Sequence, residues 1–218
     1  MMSLQQRPTS VMKTANPTRT NSLREDTREA ILNAATRLFH RYGYRKMTMC
    51  DVAEEARLSR PTVYLYFPNK EELALGVIDR LHRHLCGELE TLSSGEGAAA
   101  ERLRQMLVTR VLFVYDRMPH DSQSLNDLFA SIRPALLEHR ERGLQVEGGH
   151  FARVLEEGRK AGAFTTRDLK ADARTLLTAT SSLMPFALSP RELGEREELE
   201  CRANGLADLL LRGLLVRD

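Results

Sequence analysis

The 218-residue chain is predicted to be all-α on three observations. Apolar residues recur at three- and four-residue spacing through segment after segment. No stretch alternates apolar and polar residues between turn signals, as a half-buried strand would. Aromatic residues make up 6% of the sequence, with no Trp, inside a hydrophobic fraction of 42%. Packing therefore falls to Leu, Ala and Val, a composition that favours helices. The length is that of one large domain or two small ones, enough to bury a core without staples.

Residues 1–23 are rich in Ser, Thr, Pro, Asn and Gln, carry Arg7, Lys13 and Arg19 without an acid, and lack periodicity. They are expected to form a disordered basic tail. From Arg24 the pattern changes: Ile31, Ala35, Leu38, Phe39 and Tyr42 line one helical face, Asp26 and Glu29 sit early, Arg41 late, and Gly43 stops the run. Thr48 can cap a helix over roughly Met49 to Ala56, with Asp51 as its capping-box partner. Ser59 can cap another over Arg60 to Tyr66, where Pro61 is tolerated in the first turn. Only Arg57 and Leu58 separate the two, while Val52, Ala53, Ala56, Leu58, Val63 and Phe67 supply a small apolar seam. Pro68 interrupts, and Asn69 with Glu72 opens a long helix of about six turns. Further periodic segments are predicted over Ala98 to Arg117, Ser122 to Ser131, Ala135 to Lys160, Leu169 to Leu188 and Arg196 to Val216. Gly162, Pro185, Pro190 and Gly194 mark the expected stops and kinks.

The net charge of +2 excludes a uniformly basic protein. Its distribution is uneven. Residues 1–50 hold nine bases (Arg7, Lys13, Arg19, Arg24, Arg28, Arg37, Arg41, Arg45, Lys46) against three acids (Glu25, Asp26, Glu29). Cys50, Cys86 and Cys201 are odd in number and form no CxxC, which argues against a disulfide framework or zinc finger and for a reducing compartment. No segment is apolar enough to span a bilayer, and the N-terminal residues lack the apolar core of a signal peptide, so the expectation is a cytoplasmic protein without a membrane partner. Catalysis finds little support. Glu147 and His150 form an ExxH pair, but a di-iron bundle needs a second pair and two further Glu. His82 and Cys86 share a helix face at i,i+4, yet a structural metal wants four ligands. No enzyme activity, cofactor or metal is expected.

Two short helices joined tightly and packed on a longer one make a helix-turn-helix, whose second helix lies in the DNA major groove. The helix N-termini after Thr48 and Asn69 offer free N–H groups to phosphates, and Arg45, Lys46 and Lys70 stand beside them.

The run MTMCDVAEEARLSRPTVYLYFPNKEEL closely resembles the DNA-binding signature of the tetracycline-repressor (TetR) family. Thr48, Val52-Ala53, Ser59, Pro61-Thr62-Val63-Tyr64, Tyr66-Phe67 and Asn69-Lys70-Glu71 match its pattern, as do Ala34, Ala35, Leu38, Phe39, Gly43 and Tyr44 in the preceding helix. The resemblance runs from Arg24 to about Leu75, and more weakly through EEGRKAGAFTTRDLKADARTLL. Arg57 departs from the family's turn Gly, and Cys50 occupies a second-helix position that often faces DNA.

The resemblance implies a DNA-binding domain over residues 24–70 and a larger helical regulatory domain over 71–218. Arg60, Pro61, Thr62 and Tyr64 would face the groove, with Arg60 able to contact guanine bidentately and Pro61 a thymine methyl. Thr48, Tyr66 and Lys70 would hold phosphates, with Arg45 and Lys46 adding charge. A homodimer interface is expected from Leu183, Met184, Leu206, Leu209, Leu210 and Leu214, on apolar surface broader than one helix pair covers. Met106, Arg110, Phe113, Val114, Phe129, His150 and Phe151 would surround the family's effector pocket, fitting a hydrophobic or aromatic effector with one polar handle. The implied function is a ligand-responsive repressor that leaves a palindromic operator in double-stranded DNA when an unidentified small molecule binds. The competing expectation is a dimeric architectural or nucleoid-associated protein of the same fold without an effector.

Overall fold

The computed structural model describes residues 17–118 and 122–216. The described residues form nine helices: α1 (Pro17–Lys46), α2 (Met49–Glu55), α3 (Arg60–Tyr66), α4 (Lys70–Ser94), α5 (Ala99–Tyr115), α6 (Ser122–Lys160), α7 (Leu169–Ser181), α8 (Pro190–Leu193) and α9 (Arg196–Leu214). An isolated antiparallel bridge between Phe164 and Leu215 ties the end of α9 to the loop after α6. Val216 N–H reinforces it by donating to Ala163 O at 3.1 Å.

Helix α1 begins at Pro17, so residues 17–23 are helical rather than part of a disordered tail. Pro at a first helical position forfeits a donor that has no partner there in any case. Residues 1–16 of the expected tail lie outside the described residues. Gly43, at φ 74°, ends the regular part of α1 and lets the chain turn. The Thr48 box forms in full: Thr48 Oγ1 accepts from Asp51 N at 3.2 Å and Asp51 Oδ2 accepts from Thr48 N at 2.8 Å. Ser59 Oγ accepts from Thr62 N at 3.2 Å and Asn69 Oδ1 from Glu72 N at 2.7 Å.

Arg57 adopts the left-handed conformation, at φ 56°, that a glycine would take. Leu58 N–H donates to Ala53 O and Arg57 N–H to Glu54 O, the paired bonds of a Schellman turn. The tight turn therefore survives the absence of glycine, and the backbone carries the strain.

Helix α6 runs unbroken through residue 134, where two helices had been expected. Proline inside a helix costs about 3 kcal/mol. Leu128 and Ile132 on one side of it are buried in the first core, and Ala135 and Leu136 on the other pack against that core, so tertiary burial holds the helix together. Helix α7 stops at Ser181, short of the expected Leu188, because the ring of Pro185 is incompatible with a further helical turn.

Three apolar clusters organise the molecule. The first joins α1, α2, α3 and the start of α4, and takes in Leu128 and Ile132 of α6. The second is the centre of a bundle of α4, α5, α6, α7 and α9, around Leu103, Leu107, Phe151, Leu155 and Leu177. The third seats Val111 and Leu112 of α5 against Leu193, Leu199 and Ala203. Helix α4 belongs to the first two clusters, so it links the N-terminal unit to the bundle. Buried Arg80 secures that link: its guanidinium donates to Asn33 Oδ1 at 2.7 Å, Leu32 O at 3.1 Å and Thr36 Oγ1 at 2.5 Å, all on α1.

Candidate nucleic-acid interface and inner cavity

The apolar stripe of α3 decides what its other face can do. Val63 is fully buried and Phe67, just beyond the helix, nearly so. Gly76 of α4 allows this close approach, since a Cβ there would lie 2.6 Å from Phe67 Cε1. With that stripe inside, Arg60, Pro61 and Tyr64 are exposed on the opposite side and Thr62 is half-buried, its hydroxyl 2.7 Å from that of Ser59. Leu65 is 82% exposed on the same helix. It is the residue that the sequence reasoning missed. Its spacing of four from Pro61 and its absence from the Val63–Phe67 stripe were the available signal.

Around this face, Thr48, Arg45 and Lys46 are exposed, and Tyr66 and Lys70 half-buried. Thr48 accepts a bond to cap α2 and keeps its own hydroxyl proton for donation. Arg45 lies 3.7 Å from Asp127 of α6. Tyr66 leans against the first core. Lys70 is engaged by Arg45 O and the Tyr44 ring. Its burial lowers the ammonium pKa, an effect that Glu71 and Asp51 oppose. Arg37 and Arg41 both turn to Glu55, at 2.6 and 3.9 Å, so not every base of the N-terminal unit is free for phosphates. Cys50 is half-buried on α2.

Between α4, α5, α6 and the turn after α7 lies a cavity of about 290 Å³. Its walls include Ile78, Leu81, His82 and Leu85 of α4, Arg110 and Val114 of α5, Phe129, Leu136, His139, Arg140, Gly143 and Glu147 of α6, and Met184 to Phe186. The cavity brings together three of the residues singled out from sequence, Arg110, Val114 and Phe129. The others lie elsewhere, and these expectations are corrected. Met106 and Phe151 are fully buried in the second core, and Phe113 packs there with Arg117 3.6 Å above its ring. His150 turns away to Glu90, with Nδ1 2.8 Å from Oε2.

A polar chain crosses one wall of the cavity. Buried Glu147 receives the Nε–H of Arg110 on one oxygen and lies 3.1 Å from His82 Nε2 through the other. The Arg110 guanidinium also donates to Thr180 Oγ1 at 2.9 Å and Ser181 Oγ at 3.2 Å. Burial pushes the Glu147 carboxyl pKa up, but Arg110 and His82 outweigh it and hold the group below the usual carboxylate range. His82 is pushed up to about 10 by its contacts with Cys86 and Glu147, against the opposing effect of burial. The ExxH pair read from sequence is thus split: Glu147 serves Arg110 and His82, and His150 serves Glu90.

The leucine-rich surface is likewise divided. Met184 is buried and lines the cavity, Leu183 packs on the third core, and Leu210 and Leu214 pack against the second. Leu206 is half-buried, and Leu209, 66% exposed, stands outward on α9 with Cys201, Gly205 and Arg212. No helix among the described residues is long and apolar enough to cross a membrane.

Residues 31–77 match the family described as bacterial regulatory proteins, tetR family. The HTH-type transcriptional regulator TtgR of Pseudomonas putida is 39% identical over 64 residues, which cover 29% of this chain and 30% of that protein. The chain thus spans about a third of the length of such curated relatives. Over the whole fold, a transcriptional regulator from Cytophaga hutchinsonii superposes with a TM-score of 0.70 at 21% identity, covering 86% of this chain and 98% of that one. The SmeT–triclosan complex gives 0.60 at 23% identity, covering 88% and 92%. Residues 31–77 thus match the helix-turn-helix of the TetR family in sequence, and the chain as a whole matches these solved structures in fold.

Proposed function

We propose that the protein is a homodimeric, ligand-responsive transcriptional repressor. Residues 24–70 would bind a palindromic operator, and residues 71–218 would release it when a small, largely hydrophobic effector enters the cavity. The observation that carries this reading is the position of α4. One face of the helix, at Ile78, Leu81, His82 and Leu85, lines the cavity, while Arg80 on another face grips α1. An effector that displaces α4 would therefore move the helix-turn-helix. In a dimer, that motion alters the separation of two recognition helices, which must match half-sites about 34–36 Å apart. The solved complex of SmeT with triclosan, on a related fold, supports a small molecule as the trigger.

In this reading Arg60, Pro61 and Tyr64 reach base edges, while Thr48, Arg45, Lys46, Tyr66 and Lys70 stay on the backbone. Leu65 adds an apolar contact beside Tyr64. The test is selection of DNA from a random pool by the purified protein, followed by challenge of the selected sites with candidate effectors. A few strong palindromes that are lost on adding a ligand support the repressor. Occupancy of many unrelated sites, unaffected by any ligand, would favour an architectural protein.

A further inference from the structure

The cavity contains charged groups from three helices: Asp79 and His82 on α4, Arg110 on α5, and His139, Arg140, Arg142 and Glu147 on α6. Each carboxylate is already occupied. Asp79 holds His139 Nδ1 at 2.6 Å, and Glu147 holds Arg110 and His82. Arg110 is satisfied in turn by Glu147, Thr180 and Ser181. Arg142 is exposed at the rim. Arg140 is different. Its guanidinium lies 4.2 Å from the centre of the Phe186 ring, it makes no ion pair within 4 Å among the described residues although Glu141 and Glu147 act on it from further away, and its Nε is buried without a hydrogen-bond partner. Partial burial and the neighbouring Arg110 guanidinium disfavour its charge by more than Glu141 and Glu147 restore, so an anion that joins it is favoured.

We propose that the cavity binds an organic carboxylate with an apolar body, its carboxylate held by Arg140. The inference rests on the effector reading above and specifies the class of effector. A planar guanidinium fork matches a carboxylate with two parallel hydrogen bonds, and stacking on Phe186 fixes the plane of that fork. Leu85, Val114, Phe129, Leu136 and Met184 supply the apolar wall for the body. Size limits it further. A cavity of about 150 Å³ accommodates a benzene, so one of about 290 Å³ has room for two fused rings or a phenylalkyl chain with its head group. A cationic ligand would meet Arg110 and Arg140 with no uncommitted carboxylate to receive it. A neutral ligand would leave Arg140 as it is.

Two acids, 2-naphthoate and 4-phenylbutyrate, are titrated calorimetrically into the 218-residue protein beside their uncharged amides and 2-naphthylmethylammonium. The acids should bind at least tenfold more tightly than the amides, and the ammonium compound should not bind. Arg140→Gln should remove the preference for acid over amide while leaving amide binding in place, and Arg140→Lys should retain part of it. Circular dichroism and melting temperature establish that both variants fold. Equal affinity of acid and amide, an acid preference unchanged in Arg140→Gln, or no binding of either acid at millimolar concentration would overturn the proposal. Operator release is measured separately. Acids that bind through Arg140 without releasing DNA would leave this inference standing and defeat the repressor reading. Release by neutral compounds, independent of Arg140, would do the reverse.

Discussion

The Lys70 ammonium donates to the carbonyl oxygen of Arg45 at 3.2 Å and lies 4.4 Å from the centre of the Tyr44 ring, so the first residue of α4 fastens the C-terminal end of α1. Lys70 is therefore a brace as well as a charge. Arg60, at the start of α3, is exposed and carries a forked donor. The two residues should fail differently when removed.

Arg60→Ala should cost about 1 to 3 kcal/mol per half-site on the best operator and relax the preference at one base pair, because a bidentate contact carries discrimination. Lys70→Ala should weaken all sequences about equally, reduce the salt slope by roughly one per half-site, and lower the melting temperature through the lost brace. Titrations of a selected operator and its single-base variants at several salt concentrations separate the two. Equal losses on every variant for Arg60→Ala would remove Arg60 from the base-reading set.

Arg57 holds a left-handed backbone conformation, at φ 56°, that costs an L-residue roughly 1–2 kcal/mol relative to glycine. Glycine gives back part of that gain through its freer unfolded chain. Arg57→Gly should stabilise the protein by about 0.5 kcal/mol, and Arg57→Val should destabilise it by more than about 1 kcal/mol. Urea unfolding of the three proteins checks the order. A less stable glycine variant would show that the Arg57 side chain makes a contribution outweighing its backbone strain.

The N-terminal unit was legible because its signals are local. Thr48, Ser59 and Asn69 cap helices within three residues of themselves, and Gly43 breaks the regular run of α1 by its own dihedrals. The cavity was legible only in part, since its walls depend on how helices distant in sequence converge. Met106 and Arg110 are one turn apart on α5, yet one faces the second core and the other Glu147. Periodicity assigns both to the inward side and does not distinguish them. Arg140 and Phe186 meet across 46 residues with no motif to announce the pair. The unbroken α6 was missed for the same reason: local proline chemistry argues for a break, and burial of Leu128 and Ile132 against the N-terminal unit overrules it.

Leu209 tests the homodimer. It is 66% exposed on the outward face of α9, whereas Leu210 packs inward against the bundle. Leu209→Arg alone should yield a helical monomer by sedimentation velocity that has lost specific operator binding, because a buried unpaired charge opposes association. Leu210→Arg should instead lower the melting temperature by disturbing the core. A Leu209→Arg protein that sediments as a dimer would place the interface elsewhere.

His82 gives the fold a dependence on alkaline pH. Its folded pKa of about 10 lies above the ordinary value of 6.5 because Cys86 and Glu147 favour the imidazolium. A group whose pKa rises on folding contributes its full stabilisation below the unfolded value and loses it as pH climbs through the folded one. The contribution should therefore be complete at pH 6, decline above pH 6.5, and be gone beyond about pH 10. Because the side chain keeps some contact with solvent, its size is on the order of 2 kcal/mol rather than the full conversion of the shift. His82→Gln keeps a hydrogen-bonding group near Glu147 but cannot become cationic. Urea midpoints measured from pH 6 to pH 10.5 should show wild type well above His82→Gln at the acidic end and the two converging at the alkaline end. A gap that stays constant with pH would mean that His82 acts by packing alone, leaving the Glu147 carboxylate to Arg110.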